Sequence, residues 1–238
     1  MNKLRVVVQV RSDSYRFPCK AFVPIAGIPS AALVGLRAGN RGADVVMATT
    51  LRPTDDALAY MLQAHGLVVA RGDTDDVRNR FLQVTRDLGD DDIVVRLTAD
   101  NVVPDGDFVA RLVDEYRRTR ATYMGTTSAA RLLPLGLGAE AFRLGALRAI
   151  ADEVDDPYDR EHVTVTLRGR YARGGLDLAL GALPPAGHLR CTLDTSEDYE
   201  ALVRLFAGAD TPVSMSWRVL LDRLVTLTQA TAGVPGRR

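Results

Sequence analysis

The sequence predicts an α/β chain built on a three-layer, doubly wound, mostly parallel sheet. Short apolar runs centred on Val-Val recur at "LRVVVQV" (4–10), "ADVVMATT" (43–50), "GLVVARG" (66–72) and "DIVVRLTAD" (92–100). They are continuous rather than alternating, as strands buried on both faces are. Helix-like segments separate them at 29–38, 54–64 and 75–88. Four alternations of strand and helix in about a hundred residues are the rhythm of βαβ units.

In chain order, the first run ends at Val10 and gives way to a loop of about seventeen residues, anchored by Pro18 and Pro24; loops of that length are usually functional. Thr54, Asp55 and Asp56 predict a cap and acidic first turn for the helix at 54–64. Asp75, Asp76 and Arg80 fit a capped first turn with an i,i+4 charge pair at least as well as a ligand role. A fifth unit pairs a helix at 107–118 with a strand in "ATYMGTT" (121–127). Beyond Thr127 the rhythm changes. "SAARLLPLGLGAEAF" is rich in Leu, Gly and Ala, a helix is predicted at 144–153, and "REHVTVTLRGR" (160–170) fits helix or strand. "GLDLALGAL" (175–183) and "HLRCTLDT" (188–195) read as strands, and helices close the chain at 196–206 and 216–228. This second half is expected to elaborate the same sheet, making 1–238 one domain. The tail "AGVPGRR" is expected to fray.

Thirty Lys and Arg balance thirty Asp and Glu, so net charge argues for neither a nucleic-acid nor a membrane surface, and any anion must be met by a local cluster. Two cysteines, Cys19 and Cys191, are too few for a disulfide scaffold and lack metal-type spacing. No apolar run approaches the ~18 residues of a membrane span, and the N-terminal residues lack the pattern of a signal peptide. A cytoplasmic location is the expectation.

In open α/β sheets, ligands sit outside the carboxyl ends of the strands. After the first strand come Arg11, Ser14, Arg16 and Lys20; after the third, Arg71 and Gly72; after the fourth, Thr98 and Asp100. Cations at one strand end and a carboxylate at another suit a polyphosphate with a hard divalent metal. Neither a G-x-x-x-x-G-K-[ST] loop nor a G-x-G-x-x-G turn is present.

The order Q-x-R-x-x-S-x-R-x-P-x-K, carried by Gln9, Arg11, Ser14, Arg16, Pro18 and Lys20, resembles the opening signature of cytidylyltransferases that activate acidic sugars, especially the spore coat polysaccharide biosynthesis protein F family. The resemblance continues through "ATTLRPTDDALAYMLQAHGLVVARGDTDDVRNRF", "VVRLTADNVVPD", "YDREHVT" and "LRCTLDTSEDYE". It implies a glycosyltransferase-A-like nucleotide-diphospho-sugar transferase fold, with CMP passed from CTP to a small anionic acceptor. It further implies that Lys20, Arg11 and Arg16 are catalytic and hold the triphosphate. Gln9, Val10, Ser14, Arg71 and Thr98 would seat the nucleotide, Asp100 and Asp194 would bind Mg²⁺, and Arg160, His162 and Arg190 would meet the acceptor. Residues 128–190 become the acceptor-binding and dimerisation elaboration, and a homodimer is expected.

The chain also departs from the family pattern. Asp13 and Cys19 stand where the family usually has glycine, Gly138 where relatives carry an aspartate, and Cys191 where they carry a tryptophan. Glycine would permit positive φ or close approach of phosphate; Asp13 would repel a triphosphate or recruit a metal. Each site residue also has a structural alternative. Asp100 and Asp194 could cap the helices that follow them, Arg190 could pair with Glu161 or Asp194, and His162 could be merely packed. Two rivals remain: the same fold using another nucleotide, and a degenerate scaffold. A glycosyltransferase is disfavoured because "TADNVVPD" has no carboxylate two residues from Asp100.

Overall fold

Val6, Val7 and Val8 are all fully buried, which a strand achieves only with helices on both of its faces. The computed structural model describes residues 2–127, 130–181, 183–184 and 186–232. The first elements are β1 (Leu4–Gln9), a hairpin of β2 (Pro24–Ile25) and β3 (Ile28–Pro29), α1 (Ser30–Gly39), and β4 (Asp44–Thr50). A 3-10 turn (Pro53–Asp55) then leads into α2 (Asp56–Ala64), followed by β5 (Val68–Gly72), α3 (Val77–Val84), β6 (Ile93–Thr98) and α4 (Gly106–Arg118). The second half comprises β7 (Tyr123–Gly125), β8 (Glu140–Arg143), α5 (Leu144–Glu153), α6 (Pro157–His162), α7 (Val165–Tyr171), α8 (Leu176–Ala179), α9 (Ser196–Leu205) and α10 (Trp217–Ala232).

The main sheet runs β5-β4-β1-β6-β8-β7, parallel except for β8, which is antiparallel to both neighbours. Successive residues of β1 feed opposite cores. Val6 and Val8 join Leu33, Phe108 and Trp217 on one face, while Val7 joins Phe81, Phe142 and Leu147 on the other. Gln9 pairs with Ala48 of β4 and Thr98 of β6. From β1 the chain moves first to β4 on one side and later to β6 on the other, so strand order reverses there. The carboxyl ends of β1 and β6 are therefore the expected ligand crevice.

The strand at 121–127 does not sit beside β6. The segment "GAEAF", with no element expected from the sequence, supplies the start of β8, which inserts between β6 and β7. Its Glu140 is held by Arg96 of β6, by the Tyr123 hydroxyl of β7 and by Thr164. The ambiguous segment 160–170 becomes the end of α6 and α7, broken at Val163 with φ +64°. Neither predicted late strand forms. Residues 176–179 are the helical turn α8, and Arg190 and Thr192 make only isolated bridges to Leu135 and Asn101. Leu135 N donates to Leu189 O at 3.0 Å, Cys191 N to Leu135 O at 2.7 Å and Leu193 N to Asp100 O at 2.9 Å, single hydrogen bonds rather than a ladder. The helix predicted at 75–88 shortens to α3, capped by Asp76, which accepts from Asn79 N at 2.7 Å.

Trp217 is fully buried beneath α4. It sits edge-to-face with Phe108 at 5.1 Å, and its indole N–H donates to Asp107 at 3.1 Å. The apolar face of α10 therefore covers its own sheet. No helix among the described residues is long and apolar enough to cross a membrane. The expected fraying of the tail concerns residues 233–238, outside the described residues.

Candidate active site

The long loop after β1 folds back onto the start of α1, and this is what aims Lys20. Phe22 N donates to Cys19 O at 2.9 Å, Ala31 N to Ala21 O at 3.2 Å, and the Ser30 hydroxyl to Lys20 O at 2.5 Å. The β2–β3 hairpin turns through Ala26 (φ +47°) and Gly27 (φ +81°), the pair of positive φ values that a tight two-residue hairpin requires. Lys20 Nζ then reaches across to donate to Asp194 Oδ1 at 2.9 Å and to Leu193 O at 2.8 Å, and it meets Asp100 Oδ2 at 3.5 Å. Arg16 donates to the same Asp194 oxygen at 2.8 Å.

The capping alternatives for the two aspartates do not hold. Asp105 caps α4, accepting from Phe108 N at 2.9 Å, and Thr195 caps α9 in a reciprocal capping box with Asp198. Both Asp100 and Asp194 are thus left to face cations. The Thr98 hydroxyl donates to Asp100 at 2.6 Å and orients it. Burial works against ionisation of Asp194, but Lys20, Arg16 and Arg190 outweigh it and hold its pKa below the ordinary carboxylate value.

Above this cluster opens a cleft of about 390 Å³, lined among others by Gln9, Arg11, Ser14, Lys20, Asp100 and His162. Val10, Arg16, Thr98 and Glu161 also border it. Arg96 donates to Gln9 Oε1 at 2.8 Å. A guanidinium only donates, so the Gln9 NH₂ is the end left for a ligand.

Other predicted residues are engaged elsewhere. Arg71 donates to the carbonyls of Thr50 (2.8 Å) and Arg52 (2.9 Å) and pairs with Asp56 at 2.7 Å, bracing the 3-10 turn rather than bordering the cleft. Arg160 pairs with Asp155 at 2.7 Å. Arg190 forks onto Asp198 (2.7 and 2.8 Å) and touches Asp194 Oδ2 at 3.0 Å. That is the alternative Asp194 pairing, and it makes Arg190 a brace for that carboxylate.

Asp55, expected beside the Thr54 cap in an acidic first turn, sits at the start of α2 without a side-chain capping bond. Almost fully buried, it accepts from Ser12 N at 2.8 Å, from Ser12 Oγ at 2.6 Å and from the hydroxyls of Thr49 and Thr50. Burial opposes its ionisation, yet these bonds outweigh it and lower its pKa. It ties the first loop to the end of β4, a long-range role that no local pattern announces. The Asp76–Arg80 charge pair also does not form. Arg80 instead lies buried on the cleft wall.

Two of the departures from the family pattern now have a place. Asp13 pairs with Arg52 at 2.6 Å and Arg11 at 3.4 Å, so its charge is countered at the loop surface. Cys19 adopts φ +58°, a left-handed conformation that glycine takes freely, at a cost of about 1 kcal/mol. Cys19→Gly is expected to raise unfolding stability by about 1 kcal/mol without weakening nucleotide binding, as read by urea denaturation and titration. Cys191 is buried, and burial pushes its thiol up to about 12.

Asp100 and Asp194 both approach the Lys20 ammonium, at 3.5 and 2.9 Å, so the two carboxylates face one cation position. Among the described residues no group of three or more ligating side chains gathers anywhere. Two carboxylates are nevertheless a sufficient protein contribution for Mg²⁺, which completes its shell with water and phosphate oxygens. The residues fit the ion.

A sequence model described as Cytidylyltransferase matches residues 5–229. The chain belongs to that family. It is 28% identical over 232 residues to the spore coat polysaccharide biosynthesis protein SpsF of Bacillus subtilis, covering 93% of this chain and 94% of that one. Among solved structures, a cytidylyltransferase from Leptospira borgpetersenii superposes with a TM-score of 0.84 at 22% identity, over 100% of both chains. CMP:2-keto-3-deoxy-manno-octonic acid synthetase complexed with CTP superposes at 0.61 and 17% identity, over 87% of this chain and 99% of that one. These structures show the nucleotidyltransferase fold, and family membership implies nucleotidyltransferase activity.

Proposed function

We propose that this chain transfers CMP from CTP to a small anionic acceptor (a sugar acid, a sugar or polyol phosphate, or a phosphonate) with release of pyrophosphate. The observation that carries the reading is the sharing of the Lys20 ammonium by Asp100 and Asp194 at the sheet's switch point. A scaffold has no physical need to gather a mobile cation and two carboxylates under a cleft. A cytidylyltransferase needs them to position phosphates and little covalent help beyond that.

An acceptor oxygen attacks the α-phosphorus in line and the β-phosphate oxygen leaves. Lys20, Arg16 and Arg11 offset charge on the departing pyrophosphate. Ser14, the Gln9 amide and the backbone at Val10 seat the nucleotide, and Thr98 keeps Asp100 turned inward. Mg²⁺, held by Asp100 and Asp194, would polarise phosphate oxygens and orient the two partners. The Lys20 ammonium, donating to Asp194 and Leu193 O at the edge of the cleft, is the cation placed to meet the phosphates. An anionic acceptor needs no strong base, which suits a first loop without histidine. His162 and Glu161, contributed by α6, face the acceptor side. Residues 128–190 carry that side and the contact of a homodimer.

Thermal shift with CTP, ATP, GTP and UTP, with and without Mg²⁺, tests the reading. A CTP-selective, Mg²⁺-dependent stabilisation of about 2 to 3 kcal/mol near a hundredfold excess over Kd is expected. Asp100→Asn should lose the Mg²⁺ dependence and most pyrophosphate release. Equal shifts with all four nucleotides would point to the same fold using another donor, and none at all to a degenerate scaffold.

A further inference from the structure

Two arginines on α3 stand two residues apart and have opposite fates. Arg78 is buried and fully answered: it pairs with the buried Asp159 of α6 at 2.8 Å and donates to Val154 O at 2.8 Å. This pair clamps α3 against α6. Arg80 is only 3% exposed, and among the described residues nothing hydrogen-bonds its Nε or Nη1. It lines the cleft beside Arg11, Val77 and His162.

A guanidinium cannot shed its proton to escape burial, so unanswered N–H groups in such a place are a standing penalty unless something visits them. The neighbouring charges do not answer them. Asp55 is saturated by Ser12, Thr49 and Thr50, and Asp73 accepts from the backbone of Asp75 and Asp76. Arg11, also electrostatically coupled to Arg80, adds charge of the same sign. The stem is accommodated on purpose. A Cβ on Gly72, at the end of β5, would come within 3.0 Å of Arg80 Cγ and 2.6 Å of Gln83 Oε1.

We propose that Arg80, with Arg11, forms a second oxyanion subsite in the cleft, separate from the Lys20–Asp194 cluster. The site takes a phosphoryl, phosphonyl or carboxylate group of one of the two reactants. The reading of the cleft as a nucleotidyl-transfer site bears only on which reactant owns that oxyanion, since the unanswered guanidinium stands without it.

The test is calorimetric titration of inorganic phosphate, methylphosphonate, cytidine, CMP and CTP into the wild type, Arg80→Gln and Arg80→Lys, with melting temperatures alongside. Arg80→Gln should weaken an oxyanion ligand at least tenfold, leave cytidine unchanged, and melt no lower than the wild type, because it removes a buried charge and breaks no hydrogen bond at Nε or Nη1. Arg80→Lys should recover part of the binding. Loss for CMP or CTP assigns the oxyanion to the nucleotide. Intact CTP binding, with loss of phosphate or methylphosphonate binding at saturating CTP, assigns it to the acceptor. Unchanged binding of every oxyanion ligand, an equal loss for cytidine, or an Arg80→Gln protein that melts well below the wild type overturns the subsite. A wild type that ignores CTP yet binds phosphate through Arg80 would overturn the transferase reading and leave the subsite standing.

Discussion

Lys20→Ala is expected to cut the rate of pyrophosphate release about 10²- to 10³-fold, and to make the protein's stability respond to Mg²⁺ in a way the wild type's does not. On the proposed reading, the activity loss follows from removing the cation that would meet the phosphates, held by the loop after β1. The stability effect follows from what the ammonium does without substrate. It answers Asp194 at 2.9 Å and Asp100 at 3.5 Å from a largely shielded position. Removing it leaves two carboxylates facing one another, with only Arg16 and Arg190 still on Asp194, a loss of about 1 to 2 kcal/mol. Mg²⁺ should return most of that loss in Lys20→Ala, and should do little for the nucleotide-free wild type, where the ammonium competes for the same oxygens. Melting curves with and without Mg²⁺ and a pyrophosphate assay read both effects. A Lys20→Ala protein with wild-type turnover would remove Lys20 from the chemistry.

Arg37→Met is expected to cost about 3 to 5 kcal/mol, a fall of roughly 6 to 20 °C in Tm for a chain of this size, while changing the Kd for CTP less than twofold in the folded protein. Arg37 is fully buried in α1 and donates to four carbonyls: Val102 (3.0 Å), Val103 (2.6 Å), Pro212 (2.6 Å) and Met215 (2.8 Å). Its guanidinium also lies 5.4 Å from the centre of the Phe206 ring. Burial lowers its pKa to about 10, with partial compensation from Asp105. One side chain therefore joins the segment after β6 to the chain leading into α10, and methionine would leave those carbonyls dry and unanswered. Urea denaturation and CTP titration check the two halves of this expectation. A change below 1 kcal/mol would mean that water replaces the guanidinium.

The parallel core was legible because buried strands and their crossover helices leave local marks. Val-Val runs named β1, β4, β5 and β6, and the 144–153 helix is the one found. The late strands were misread because Leu-rich runs such as "GLDLALGAL" carry apolar character without saying whether a neighbour exists to pair with. β8 was missed for the converse reason, since a four-residue strand with a Glu at its start depends on Arg96 and Tyr123, which lie far from it in sequence. The first-loop cations and both aspartates were legible through their ordered motifs. Asp55 and Arg80 were not, because each looked locally like a first-turn helix residue.

The sequence by itself determined the layered α/β class, the order of its units and the set of charged groups at the strand tips, since hydrophobic runs and side-chain chemistry are properties of the chain. Only the tertiary structure decided which of those charges meet. Lys20 and Asp194 are 174 residues apart, and their pairing depends on how the loop after β1 folds onto α1 and how the Thr195–Asp198 box turns the chain before α9. It also decided which cations are already answered: Arg71, Arg78 and Arg190 by neighbours, and Arg80, among the described residues, by nothing at Nε or Nη1. A residue's identity sets what it can bind, whereas burial and the saturation of its neighbours set whether that capacity is still open.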